Sequence, residues 1–151
     1  MIRRLIPTVL MCAAVAVPPT TWGATTPADA IKYRNAVMAA LGAHMSAFTL
    51  VNFGKVEHQA HLKDHADAIA ALAKQTRVLF PAGSDSGDTR ALPLIWKEQE
   101  EFNKLVTRLE TSAGKLSAAV AANDKAGTMG AFKELGESCK GCHDRYRKAA
   151  D

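Results

Sequence analysis

With 151 residues, 48% of them hydrophobic and 23% charged, the chain is long enough for one domain with a real core and too short for two. Its formal net charge of +4 is small and dispersed, so it lacks the basic footprint of a nucleic-acid binder, and no nucleic-acid partner is expected. Aromatic residues make up only 6% and alanine is abundant, a mix that favours helix over sheet.

The chain opens with Arg3 and Arg4, an apolar run from Leu5 to Val17, and small residues near Gly23 and Ala24. That is the layout of a cleaved secretory signal peptide, expected at residues 1–23, ahead of one domain at 24–151. Cutting after Gly23 puts Thr21 at the third position before the cut, whereas cutting after Ala24 puts bulky Trp22 there. The apolar run is too short for an ordinary membrane span, so no stable membrane insertion is expected; a retained anchor is the alternative. Cleavage removes Cys12 and leaves two cysteines, Cys139 and Cys142. It also removes Arg3 and Arg4, so 19 basic residues become 17 against 15 acids.

Four helical segments follow. The first is predicted from Pro27 to Val51, with Thr26 as N-cap, Pro27 in the first turn and Gly54 as terminator. The second spans Val56 to Leu79 and stops before Pro81. A loop rich in Gly, Ser and Asp leads to the third, predicted from Pro93 to Ala122, which Asn123 and Asp124 break. The fourth spans Lys125 to Ala149. Each carries one apolar face; on the third, Phe102, Leu105, Leu109, Leu116 and Val120 fall on one side. No alternating strand pattern is present. The fold expected is all-α, an antiparallel four-helix bundle.

The last segment contains Cys139-Lys140-Gly141-Cys142-His143. A thioredoxin-like redox pair would sit at a helix start after a strand, and no strand is apparent. A structural zinc site needs four protein ligands, and no paired spacing supplies the other two. The third reading of C-x-x-C-H in an exported chain is one covalently bound haem c. Two thiols three apart on a helix lie on one side, and the adjoining imidazole then points at the iron from one face of the ring. Phe132, Leu135, Gly136, Cys139, Cys142, His143 and Tyr146 share one helical face, so the haem is expected inside the bundle, attached to the C-terminal helix. Gly136 and Gly141 are read as places where the porphyrin or a neighbouring helix comes close, and Gly127 and Gly130 as a weak, frayed helix start.

The opposite side of the iron is open to several residues. On the first helix Ile31, Arg34, Met38, Leu41, Met45 and Phe48 share a face. A Met38 thioether on iron would make a six-coordinate electron carrier, although the same spacing is what core filling requires. Arg34, one turn earlier, needs an anion such as a haem propionate, or an exit to solvent at the bundle end. His58, His61 and His65 on the second helix are further axial candidates, or a surface metal set, and His44 is a further axial candidate.

Together, "CKGCHDRYRK" near the C-terminus, four helical segments and the opening "DAIKYRNAVMAALGAHM" resemble the class II c-type cytochromes, that is, cytochrome c′ and its low-spin, methionine-ligated relatives. The stretches "LFPAGSD" and "LPLIW" resemble the family's loop and third-helix start, so the resemblance covers residues 27–149. It implies thioether bonds from Cys139 and Cys142, His143 as the proximal iron ligand and Met38 facing the distal side. It also implies Arg34 near a propionate, Arg147 on the proximal side, and a homodimer paired through the first two helices. Met38 with Gly42 leans toward the low-spin group; "IKYRNAVM" and "GAHM" lean toward cytochrome c′. The function expected is one-electron transport in the periplasm with redox partner proteins, through His143 and Met38. The alternative is a five-coordinate haem that binds NO or CO. No general base, activated nucleophile or substrate cleft is legible, so no enzyme is expected.

Overall fold

The computed structural model describes residues 24–149, and the signal peptide expected at 1–23 lies outside them. The helices are α1 (Pro27–Asn52), α2 (Leu62–Gln75), a single turn α3 (Leu94–Lys97), α4 (Gln99–Ala121) and α5 (Lys125–Tyr146). Short 3₁₀ turns at Gln59–His61 and Thr76–Val78 flank α2. In the bundle α1 packs on α2, α2 on α4 and α4 on α5. No described helix is long and apolar enough to cross a membrane.

Local chemistry sets most helix ends. Thr26 caps α1: its hydroxyl accepts from the Asp29 amide at 3.1 Å and donates to the Asp29 carboxylate at 2.7 Å, with Pro27 in the first turn. At the other end the Lys55 amide donates back to Leu50 O at 2.8 Å, which requires left-handed backbone at Gly54 (φ +64°). Asp124 caps α5 by accepting from the Gly127 amide at 2.9 Å. A Cβ on Gly127 would lie 2.2 Å from the Asp124 carboxylate, so this glycine makes room for a firm cap. That corrects the frayed start expected there.

Four boundaries differ from expectation, one being the end of α2, which stops at Gln75 before a 3₁₀ turn rather than running to Leu79. α2 begins at Leu62 rather than Val56, because the reversal after α1 uses the intervening residues and His58 is non-helical (φ −121°, ψ 46°). The third helix is broken at Glu98 (φ −119°, ψ 43°). The break brings the Glu98 carboxylate to the Tyr146 hydroxyl, which donates to it at 3.0 Å, and to Arg145 at 2.6 Å. α5 stops at Tyr146 because the chain then turns extended and pairs with the loop before α3. There the Leu92 amide donates to Tyr146 O at 2.9 Å and the Lys148 amide to Arg90 O at 2.8 Å.

The core falls into two groups. Phe48, Ile69, Leu116 and Leu135, with Ala66, Ala73, Ala113 and Ala131, fill one end. Burying each large member contributes about 1.5–3 kcal/mol. Phe48 stacks on Phe132 with ring centres 5.3 Å apart, and this contact joins α1 to α5. The other group gathers Ile95, Phe102, Val106 and Tyr146, with Phe80 and Trp96 against them. Cys139 packs on the first group and Cys142 on the second.

On the outside, Asp67 joins α2 to α4. It takes hydrogen bonds from Lys63 and, at 2.6 Å, from the Ser117 hydroxyl. These donors hold its carboxyl below the usual carboxylate range, despite a small opposing effect of burial. A carboxyl depressed in the folded state stabilises above its unfolded pKa, and that contribution disappears as pH falls through the folded value. Asp67→Asn is therefore expected to lower stability near neutrality and to flatten the loss of stability below about pH 4. Urea midpoints measured from pH 7 to pH 3 check this, and parallel curves for the two proteins would contradict it.

Candidate functional site

Helix α5 presents Leu135, Ser138, Cys139, Cys142, His143 and Tyr146 to the bundle interior, and Arg147 follows at its end. Leu135, Cys139, Cys142, His143 and Tyr146 belong to the stripe expected from helical spacing, whereas Phe132 and Gly136 of that stripe do not line the cavity and Ser138 joins it. The two thiols are free and half-buried. Burial raises both their pKa values, with Cys142 pushed to about 11 by burial and, secondarily, by Cys139, against an opposing Arg147. Neutral thiols three residues apart behind an apolar wall are poor redox catalysts. The His143 imidazole is held below its ordinary pKa, first by burial and then by the charges of Arg147 and Arg90, with Asp144 opposing. It is therefore held in the neutral form that ligates metals.

Across the bundle, α1 contributes Arg34, Met38, Leu41 and Met45. With Ile69 of α2 and Thr76 just after it, Phe102, Leu105, Val106 and Leu109 of α4, Ile95 of α3, and Phe80, Arg90 and Ala91 of the loop, they line a cavity of about 570 Å³. That volume is in the range that holds one sizeable cofactor. His143 also reaches a surface opening rimmed by Arg90, Lys140, Asp144, Arg147 and Lys148. His143, Arg90 and Arg147 thus border both the cavity and this surface opening.

Arg34 does not run out to solvent; it is 2% exposed. Its Nη1 donates to Leu79 O at 3.2 Å and to the Ser84 hydroxyl at 2.9 Å. Its Nη2 donates to Ser84 O at 2.9 Å and to the Thr89 hydroxyl at 2.8 Å. The guanidinium also lies 5.0 Å from the Phe80 ring centre and 5.8 Å from that of Trp96. Burial lowers its pKa, and all four acceptors are neutral, so its charge is compensated by dipoles and aromatic faces.

The remaining axial candidates part company with the site. His44, His58, His61 and His65 are absent from the cavity wall. No atom of a neighbouring helix comes within 4 Å of a Cβ built on Gly136 or Gly141, which corrects the helix-contact reading of those glycines. Among the described residues no group of three His, Cys, Asp or Glu side chains gathers as a metal site would need, so the zinc reading of the cysteine motif finds no support.

The family profile described as Cytochrome C′ matches residues 29–147. The chain belongs to the cytochrome c′ family. Cytochrome c prime from Shewanella frigidimarina has 37% identity and a TM-score of 0.79, over 84% of this chain and all of that one. A nitric oxide complex of a mutant cytochrome c prime from Alcaligenes xylosoxidans has 32% identity and a TM-score of 0.76, over 85% of this chain and all of that one. Cytochrome c-556 from Agrobacterium tumefaciens is 31% identical over 80% of this chain and 98% of its own length. The cytochrome c′ family carries covalently attached haem c with iron.

The cavity suits that cofactor on its own evidence. Two thiols, a neutral imidazole and the thioethers of Met38 and Met45 border a largely apolar chamber. The Thr76 and Ser138 hydroxyls are buried without a hydrogen-bond partner, and both line this cavity. Unpaired buried hydroxyls cost about 1–3 kcal/mol each, and these two belong to residues in the wall of the cavity. Neither had been singled out from sequence, although each is a polar residue on an otherwise apolar stripe. Arg90 was also missed, because a loop residue carries no periodic signal; only pairing with the end of α5 places it here.

Proposed function

We propose that the chain is a periplasmic one-electron carrier in which Cys139 and Cys142 hold haem c, His143 is the proximal ligand and Met38 the distal one. Haem c supplies the one-electron iron couple. The single observation that carries this reading is that Met38 on α1 and His143 on α5 reach the same apolar cavity from different sides of the bundle. A thioether and a neutral imidazole held by packed helices stay in place in both redox states, so little rearrangement accompanies electron transfer. The surface opening beside His143 gives a partner access to the site, and its rim of Arg90, Lys140, Arg147 and Lys148 fits an acidic partner surface. Arg34 orders the loop over the cavity and puts positive charge near a propionate. Exposed Tyr33, Leu50 and Phe53 on and after α1 supply apolar area for pairing two copies into a homodimer.

The second reading, a five-coordinate haem that binds NO or CO, is favoured by one observation: the Alcaligenes relative has been solved with nitric oxide bound. In that case Met38 shields the distal face without ligating iron. The ferric protein is expected to be low-spin with a weak near-infrared sulfur-to-iron band, lost completely in Met38→Ala. A high-spin ferric spectrum of the unaltered protein, with rapid CO uptake on reduction, would establish gas binding instead.

A further inference from the structure

We propose that His44 and His65 form a second metal site, away from the haem cavity, that chelates one borderline divalent transition-metal ion such as Zn²⁺. The Nδ1 atom of His44 on α1 lies 3.1 Å from the Nδ1 atom of His65 on α2, both side chains half-buried. Their ring centres are 5.3 Å apart and the rings are tilted by 57°. A tetrahedral zinc ion with bonds of about 2.0–2.1 Å holds two ring nitrogens about 3.3 Å apart. The observed spacing needs only a few tenths of an ångström of adjustment to take the ion.

α1 has no charged residue between Arg34 and the end of the helix, so no ammonium approaches from that side. On α2 the nearby Lys63 is paired with Asp67, and Asp64 is the neighbouring carboxylate. No third protein ligand converges among the described residues, so water fills the remaining positions and the ion is exchangeable. His58 and His61 form a separate, exposed pair, stacked with ring centres 5.3 Å apart, and belong to no such chelate. Without an ion, one imidazole must donate its N–H to the other's lone pair. With one, both nitrogens become ligands and the ion fastens α1 to α2, so binding stabilises the folded chain by mass action.

The test uses haem-loaded protein stripped of adventitious metal with a chelator and titrated calorimetrically with zinc chloride. One ion per chain is expected. His44→Ala and His65→Ala should each weaken binding by more than about tenfold, while the His58→Ala/His61→Ala double variant binds as the unaltered protein does. Zinc should raise the melting temperature of the unaltered protein and leave that of His44→Ala where it was. Should either alanine variant fail to fold, His65→Gln carries the same comparison, since its amide keeps a hydrogen bond to His44. Absence of saturation below about 1 mM zinc overturns the proposal. So does binding that survives loss of His44 or His65, or that disappears with His58 and His61.

Discussion

Replacing Cys139 and Cys142 together by alanine is expected to leave no haem on the polypeptide after acid–acetone extraction, and to cost the protein its fixed tertiary structure as well. The first half follows from chemistry, since these are the two cysteines among the described residues and both line the cavity. The second half follows from packing. The cavity is about 570 Å³ and its wall is mostly apolar. Without the porphyrin this apolar wall faces water, and the burial that would fix the packing of the helices around it is lost. A domain of this size has about 5–15 kcal/mol of stability in total. Cys139 and Cys142 abut the two separate core groups, so a porphyrin tethered to both would join the two halves of the core. The double variant should keep most of its far-ultraviolet helical signal, lose near-ultraviolet ellipticity and bind a hydrophobic dye. If the unaltered protein, made with haem-maturation machinery, releases all its haem on extraction, the attachment reading is wrong. If the double variant melts cooperatively at the same temperature as the holoprotein, the packing argument is wrong.

Much of this site was legible before any coordinates, for a definite reason. The thiols, His143 and Met38 all sit on regular helices, where 3.6 residues per turn converts sequence spacing directly into direction. The same periodicity located α1 and the body of α4 and α5. It could not locate what depends on contacts between distant segments. The break at Glu98 is set by Tyr146 and Arg145, far along the chain, and the end of α5 is set by pairing with residues 90–92. Neither event leaves a periodic trace. The histidines show the opposite limit. His58 and His65 share the face of apolar residues in the sequence, yet the late start of α2 leaves His58 on a non-helical turn, outside the cavity. Helical spacing puts Arg34 on the inward face but leaves a buried partner and an exit to solvent equally open, and it cannot name the partners. The Arg34 hydrogen bonds go to a loop some 45–55 residues away.

Those partners make Arg34→Ala the substitution with the next largest expected effect, a loss of about 3 kcal/mol or more in holoprotein stability. Removing the guanidinium strands Leu79 O and Ser84 O in a buried region, leaves the Thr89 hydroxyl only its bond from the Ala91 amide, and opens a hole under Phe80 and Trp96. The loop owes its shape to these bonds, because it contains no helix and few backbone bonds of its own between Leu79 and Leu92. One of them, from the Thr89 amide to Gly87 O at 2.8 Å, accompanies a φ of +109° at Gly87 that other residues rarely adopt. Arg34→Lys should recover only part of the loss, since one ammonium cannot reach acceptors spread over Leu79, Ser84 and Thr89 as a planar fork does. Denaturant midpoints measure the energy, and amide exchange at Ser84, Thr89 and Ala91 locates it. Faster exchange confined to this loop is expected, with the amides of α4 and the middle of α5 unchanged below global unfolding. Because Phe80, Arg90 and Ala91 help line the cavity, a loosened loop should also speed the entry of small ligands to the haem. A loss of less than about 1 kcal/mol with unaltered exchange would show that the loop holds its place without the arginine.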